Sequence, residues 1–84
     1  MRIILADEAW DDYPYGQKNG KRIVEPINKL IQETQREPFA GIGKPEALKH
    51  ALSGFWSRRI TDGHRMTYRV ESDALLIVQL RFHY

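Results

Sequence analysis

The sequence predicts an α+β fold in which two N-terminal helices pack on one face of a small, mainly antiparallel β-sheet. In the N-terminal half, apolar residues recur at helical spacing and form one continuous stripe. In the C-terminal half, three runs alternate in side-chain character at every second residue, which is the period of a strand. Short turn-forming segments separate these three runs, so we expect them to pair as antiparallel neighbours.

The first element is a short strand over residues 2–5, which are mostly apolar or β-branched. Asp7 then caps a helix. Trp10 and Tyr13 lie three residues apart on this helix and are expected to face the core. Pro14 has no N–H to donate, so we predict that the helix kinks or ends near Tyr13.

Asn19 is expected to cap a second helix that ends at Glu37-Pro38. Pro26 interrupts its middle, but the apolar stripe stays in phase on both sides of the proline. We therefore predict one kinked helix rather than two. The stripe consists of Ile23, Val24, Ile27, Leu30, Ile31 and Thr34.

Residues 37–47 are predicted to form a loop, because two glycines and a proline prevent regular structure there. The loop lacks the spacing of a phosphate-binding P-loop and does not follow a strand. Residues 48–52 fit either a strand or one helical turn. The three strands of the meander are predicted over residues 55–61, 65–70 and 74–82.

Alternation along these strands predicts two different sheet faces. The apolar face is expected to pack on the helices and comprises Trp56, Ile60, Met66, Tyr68, Val70, Leu76, Val78, Leu80 and Phe82. The opposite face comprises Ser57, Arg59, Arg65, Thr67, Arg69, Gln79, Arg81 and His83. Arg58, Leu75 and Ile77 depart from the alternation, so strand ends or bulges must redirect some side chains. No acidic residue alternates with the arginines, which favours binding of a polyanion over a merely solvated face.

The 84 residues predict one domain, 1–84, with one modest core. Cysteine is absent, so a disulfide framework and a thiolate metal site are excluded. The apolar N-terminal run is too short for a signal sequence or a membrane span, and the cytoplasm is the expected location. Residues 44–84 hold seven Lys/Arg against four Asp/Glu, whereas residues 1–43 hold six against seven. The C-terminal half is therefore the electropositive one, which suits RNA, but charge alone favours an ordinary solvated surface.

Four motifs together resemble the YoeB toxins, which belong to the RelE-like ribosome-dependent mRNA interferases. They are G-x-G-K-P-E-x-L-K from Gly41, L-x-G-x-W-S-R-R-I from Leu52, H-R-x-x-Y from His64, and the terminal His83-Tyr84. The resemblance extends along almost the whole chain and implies the RelE-like toxin fold. Pro14 and Pro26 depart from the family, which usually has helix-forming residues there.

The resemblance implies a metal-free site for RNA cleavage with no cofactor. Glu46 would act as base, Arg65 would stabilise the transition state and His83 would act as acid. Lys49 and Arg59 would hold the phosphate and adjacent backbone, and Tyr84 would stack on or orient the nucleotide. From the residues alone, Glu46 fits a cap on a following helical turn better than a catalytic role, and only the resemblance favours the base. His83 and Tyr84 also fit a frayed tail, although a tail rarely continues an alternating strand pattern to its last residue.

The function implied is an endoribonuclease toxin that cleaves translated mRNA on the ribosome and leaves a 2′,3′-cyclic phosphate. Its expected partners are the ribosome, mRNA and a cognate YefM-type antitoxin, and it reaches promoter DNA only through the antitoxin complex. A homodimer is also carried over from the family, and no membrane partner is expected. The alternatives are a non-catalytic module that blocks translation by occupying the ribosome, and a structural partner of a DNA-binding antitoxin.

Overall fold

The computed structural model describes residues 1–18, 21–61 and 63–80, with only the backbone for residues 14–18 and 21–24. The elements are β1 (Arg2–Leu5), α1 (Asp7–Lys18), α2 (Lys21–Arg36), β2 (Glu46–Ala47), a 3-10 turn (His50–Leu52), β3 (Trp56–Thr61), β4 (His64–Glu71) and β5 (Ala74–Gln79). No helix in the described part of the chain is long and apolar enough to cross a membrane.

The five strands form one sheet in the order β1-β5-β4-β3-β2. β1 pairs with β5 in parallel, and the other neighbours are antiparallel. α1 packs on β5 and α2 packs on β3, so both helices cover one face of the sheet. Buried core residues from the helices and the sheet meet there: Ala9, Ile27, Leu30, Met66, Tyr68, Leu75, Ile77 and Leu80. The predicted α+β architecture is confirmed.

Both helices continue through their prolines. α1 reaches Lys18, so the predicted end near Tyr13 is wrong, and α2 is one helix across Pro26, as predicted. Each proline removes only one backbone hydrogen bond. In α1 the carbonyl that loses its partner belongs to Trp10, a residue that is 63% exposed. The predicted cap at Asn19 lies outside the described residues.

The prediction that Trp10 faces the core is wrong. α1 instead turns Ala9 and Asp12 towards the sheet, at 0% and 5% exposure. A small side chain at Ala9 allows close approach to β5. Asp12 is buried because its carboxylate accepts a hydrogen bond from the Leu80 backbone N–H at 3.1 Å. That bond occupies the Leu80 N–H, and β5 ends at Gln79; residues 81 and 82 of the predicted strand lie outside the described residues.

The face of each β5 residue is set by an irregularity in its pairing with β4. Ile77 lies opposite Tyr68, but Gln79 lies opposite Thr67, so one extra residue of β5 is accommodated between them. Leu75 and Ile77 are consequently fully buried on the helix side. Leu76 lies opposite Arg69 on the other face, which corrects its predicted place in the core.

Part of the segment predicted as a loop is ordered in the sheet. Glu46 and Ala47 pair with Ser57 and Trp56 and add β2 at the edge. His50–Leu52 then forms the 3-10 turn, which is the helical one of the two alternatives.

Candidate active site

The sheet face turned away from the helices, here called the arginine face, has its side chains arranged in rows across the strands. In the first row, Arg59 of β3 lies opposite Arg65 of β4. In the middle row, Ser57 lies between Glu46 of β2 and Thr67 of β4. Successive rows are two residues, or about 6.8 Å, apart along a strand. Pairing across the sheet therefore brings Glu46, Arg59 and Arg65 to one place.

Glu46 is exposed and is held by the pairing of β2 with β3. The alternative role as a helix cap does not apply, because the residue before the 3-10 turn is Lys49 and makes no side-chain cap. With its backbone in the ladder and its side chain exposed on the arginine face, the Glu46 carboxylate is accessible to a ligand bound there.

Arg65 is oriented by a hydrogen bond from its Nε to Ser57 Oγ at 2.6 Å. Ser57 and Thr67 are only 2% and 1% exposed, so these small hydroxyl residues form the floor of the middle row. Because Ser57 also lies opposite Glu46, this bond holds the guanidinium beside the strand position of the carboxylate. Ser57 therefore positions both the Arg65 guanidinium, a hydrogen-bond donor, and the strand residue that carries the Glu46 carboxylate, an acceptor.

Arg59 and Arg65 place two positive charges directly opposite each other on neighbouring strands. Like charges in this position repel. Among the described residues, no carboxylate forms an ion pair with either one. Bound phosphate would supply the missing negative charge and accept hydrogen bonds from both guanidinium groups. Arg69 differs, since it pairs with Glu71, which lies two residues further along β4; the prediction that no acidic residue alternates with the arginines is wrong there.

The structure says less about the other three predicted site residues, Lys49, His83 and Tyr84. Lys49 is exposed on the segment that follows β2. His83 and Tyr84 lie outside the described residues. No group of three or more His, Cys, Asp or Glu side chains with the geometry to hold a metal is present in the described part of the chain.

A buried arginine behind the site was not identified from the sequence as part of it. Arg58 is 0% exposed. It lies between Ser57 and Arg59 in the sequence of β3, but its side chain is on the core face, whereas theirs are on the arginine face. Its Nε donates to the Tyr68 hydroxyl at 3.1 Å, and its terminal nitrogens donate to loop carbonyl groups. The accepting carbonyl groups belong to Ile42 at 3.1 Å, Ala40 at 2.8 Å and Glu37. The sequence did indicate this burial, because Arg58 alternates with Trp56 and Ile60, which were predicted on the apolar face.

Arg58 and Tyr68 together hold the loop that leads into β2. The Tyr68 hydroxyl donates to the Pro38 carbonyl at 2.6 Å, and the Arg59 N–H donates to the Gly43 carbonyl at 2.8 Å. Gly43 has a φ of +79°, and a Cβ there would meet the Arg59 carbonyl oxygen at 3.0 Å. A loop anchored at these points fixes where β2 begins, and therefore where Glu46 lies.

Burial raises the pKa of Tyr68 above its ordinary value of 10.0, against the hydrogen bond and positive charge of Arg58, which lower it. The folded state therefore favours the neutral phenol. The contribution of the neutral Tyr68 phenol to stability is complete below pH about 10 and is lost as the pH rises through the folded-state pKa. We measure the free energy of unfolding with urea from pH 8 to 11. Above pH about 10, we expect it to fall less steeply in Tyr68→Phe than in the wild-type protein. An equally steep fall in the variant would contradict this assignment.

Comparison with known proteins agrees with the predicted family. The model of the YoeB-like toxins of bacterial type II toxin–antitoxin systems matches residues 5–84. The chain belongs to this family. It is 60% identical to Toxin YoeB of Escherichia coli K12 and 48% identical to Toxin YoeB of Streptomyces coelicolor, each over 84 residues that cover both chains completely.

Solved structures show that the YoeB-like fold is shared. A YoeB/ParE toxin from Agrobacterium tumefaciens superposes with a TM-score of 0.96 at 49% identity, with both chains fully covered. The YoeB dimer from Staphylococcus aureus gives 0.92 at 40% identity, covering 100% of this chain and 98% of the other. The YoeB–YefM complex from the same organism gives 0.90 at the same identity and coverage. The chain is therefore a YoeB-type toxin of a type II toxin–antitoxin system.

Proposed function

We propose that this toxin is a ribosome-dependent endoribonuclease that cleaves translated mRNA without a metal ion. The observation that best supports the proposal is the arrangement around Ser57, with Glu46 on one side and the Ser57-bound Arg65 on the other. This arrangement offers a proton acceptor and a phosphate-binding fork at one point of an exposed face. Arg59, without an acidic partner in the described part of the chain, adds a second cation.

Cleavage begins when the Glu46 carboxylate accepts the proton of a ribose 2′-hydroxyl. The 2′-oxygen attacks the adjacent phosphorus, and negative charge develops on the phosphoryl oxygens. Arg65 and Arg59 stabilise that charge through hydrogen bonds that strengthen as it develops. His83 donates a proton to the departing 5′-oxygen. The products are a 2′,3′-cyclic phosphate on the upstream fragment and a 5′-hydroxyl on the downstream fragment.

Lys49 and Tyr84 would position the substrate. Lys49 is exposed beside β2, where its ammonium group can contact the RNA backbone next to the reacting phosphate. The roles of Tyr84 as a stacking residue and of His83 as acid rest on the terminal motif. The last described residue, Leu80, is three positions before His83.

The proposed partners are mRNA, the ribosome and a YefM-type antitoxin. The Staphylococcus aureus relatives form a YoeB–YefM complex and a YoeB dimer, and we extend both associations to this toxin. A flexible antitoxin segment would cover the arginine face and block access to Glu46 and Arg65. The toxin would act in the cytoplasm and contact promoter DNA only through the antitoxin complex.

The test is to incubate the purified toxin with ribosomes translating a defined mRNA and to map the new RNA ends by primer extension. We expect discrete cuts in ribosome-bound mRNA and none in the same mRNA free in solution. Translation arrest with full-length mRNA would favour the alternative, a module that blocks the ribosome without cleavage. Absence of both cleavage and arrest would contradict both functions.

A further inference from the structure

A third row of the arginine face lies beyond Glu46, on the side away from Arg59 and Arg65. Trp56 lies opposite Tyr68, and the next residues outward are Phe55 and Arg69. The Arg69 guanidinium carbon lies 5.2 Å from the Phe55 ring centroid, so the cation rests over the ring. This row is built from an aromatic ring and a guanidinium group rather than from phosphate-binding cations alone.

The Arg69 guanidinium is held from two sides and open on another. Phe55 lies against one side, and a terminal nitrogen of Arg69 donates to the carboxylate of Glu71. The Arg69 side chain is nevertheless 43% exposed. Because Glu71 balances its charge, Arg69 is less suited than Arg59 or Arg65 to bind phosphate. What it presents to solvent is an oriented planar surface.

The neighbours of Phe55 and Arg69 make this row more apolar than the other two. The Leu48 N–H donates to the Phe55 carbonyl at 2.9 Å, which sets Leu48 beside Phe55. Leu76 lies opposite Arg69. Both leucines are partly exposed. An aromatic ring, a guanidinium plane and two aliphatic side chains form a surface suited to a nucleobase, which can stack on arginine as well as on aromatic rings.

The spacing of the rows relates this surface to the reacting phosphate. Arg65, Thr67 and Arg69 alternate along β4 on the same face, so adjacent rows are about 6.8 Å apart. The Glu46 row is in the middle. An RNA strand whose reacting phosphate lies between Glu46 and Arg65 reaches the third row with a neighbouring nucleotide.

We propose that Phe55 and Arg69 form a stacking platform for the base of a nucleotide flanking the cleaved bond. The base stacks on the open side of the Arg69 guanidinium, while Phe55 and Glu71 keep that plane oriented. This inference rests on the proposed cleavage of RNA and adds a base-binding subsite to it. It makes the platform a determinant of which mRNA positions are cut.

The test compares Arg69→Lys, which keeps the charge and removes the plane, with Arg36→Lys as a matched control. Arg36 is also exposed and paired with a glutamate, Glu33, but it lies on α2. Cleavage is measured on ribosome-bound mRNA that is intact or has a single abasic nucleotide on either side of the cut. Base–aromatic stacking contributions correspond to about 5- to 150-fold in affinity. We expect kcat/KM on intact mRNA to fall within this range for Arg69→Lys and to be unchanged for Arg36→Lys.

The abasic mRNAs separate stacking from other roles of Arg69. Wild-type toxin should lose activity by a similar factor when one flanking base is absent, and Arg69→Lys should lose nothing further on that mRNA. Phe55→Leu should reproduce the Arg69→Lys pattern, and thermal unfolding checks that both variants fold. Equal activity of Arg69→Lys and Arg36→Lys, or a full additional abasic loss in Arg69→Lys, overturns the platform while leaving cleavage intact. Absence of cuts by wild-type toxin overturns the cleavage function and the platform with it.

Discussion

Glu46→Gln is expected to slow mRNA cleavage by about 10²–10⁴-fold, the usual contribution of a general base. Glutamine keeps the length and hydrogen-bonding shape of the side chain but cannot accept the 2′-hydroxyl proton. Because Glu46 is exposed on a two-residue edge strand, the free energy of unfolding should change by no more than about 0.5 kcal/mol. Single-turnover cleavage on ribosomes and urea unfolding measure the two quantities separately.

Glu25→Gln is the matched control, because Glu25 is exposed on α2, away from the arginine face. It should cleave at the wild-type rate. Arg65→Ala and His83→Ala should be slow for different reasons, loss of charge stabilisation and loss of the acid. A wild-type rate for Glu46→Gln with ribosome binding intact would place the base at another residue.

Arg58→Met should destabilise the protein by about 3–5 kcal/mol, because a hydrogen bond from a charged donor contributes about 1.5–3 kcal/mol and several are lost together. Methionine fills much of the same volume but leaves the loop carbonyl groups and the Tyr68 hydroxyl without their donor. A small domain is stable by only about 5–15 kcal/mol, so a large share of its stability depends on this residue. Urea unfolding at low temperature, where the variant remains mostly folded, measures the loss.

Arg59→Met is the informative comparison, since Arg59 is the next residue and lies exposed on the opposite face of the same strand. It should leave stability within about 0.5 kcal/mol of wild type and reduce cleavage. Arg58→Met should reduce stability, and cleavage too, because the loop leading to Glu46 loses its anchor. If Arg58→Met unfolds at the wild-type urea concentration, the loop is not held by this arginine.

The fold was predictable where periodicity and burial agree. Ile27 and Leu30 lie in the stripe predicted for α2, and Met66 and Tyr68 alternate in β4, and all four are in the core. Trp10 was assigned to the core by its three-residue spacing from Tyr13, but it is the small Ala9 that faces the sheet and lets α1 approach β5 closely. Alternation alone also could not anticipate the extra residue in β5, because a bulge depends on pairing with β4.

The residues proposed for the candidate site came from the family motifs, whereas the hydrogen bonds that position them were not foreseen. Glu46 and Arg65 were proposed from the family motifs; strand pairing sets Glu46 opposite Ser57, and a side-chain hydrogen bond brings Arg65 to the same serine. Ser57 and Arg58 showed no chemistry in the sequence, because their roles come from hydrogen bonds between distant segments. The local sign of a buried role for Arg58 was its position in β3, where alternation predicts a core residue.

The chemical nature of the new RNA end tests the central claim most directly. The toxin is incubated with ribosome-bound mRNA, and the 3′ end of the upstream fragment is analysed by mass spectrometry. Attack by the 2′-hydroxyl, with Glu46 as base, predicts a 2′,3′-cyclic phosphate on that fragment and a 5′-hydroxyl on the downstream one. An upstream fragment that ends in a 3′-hydroxyl from its first appearance would mean that water attacked the phosphorus, and would contradict the proposed mechanism.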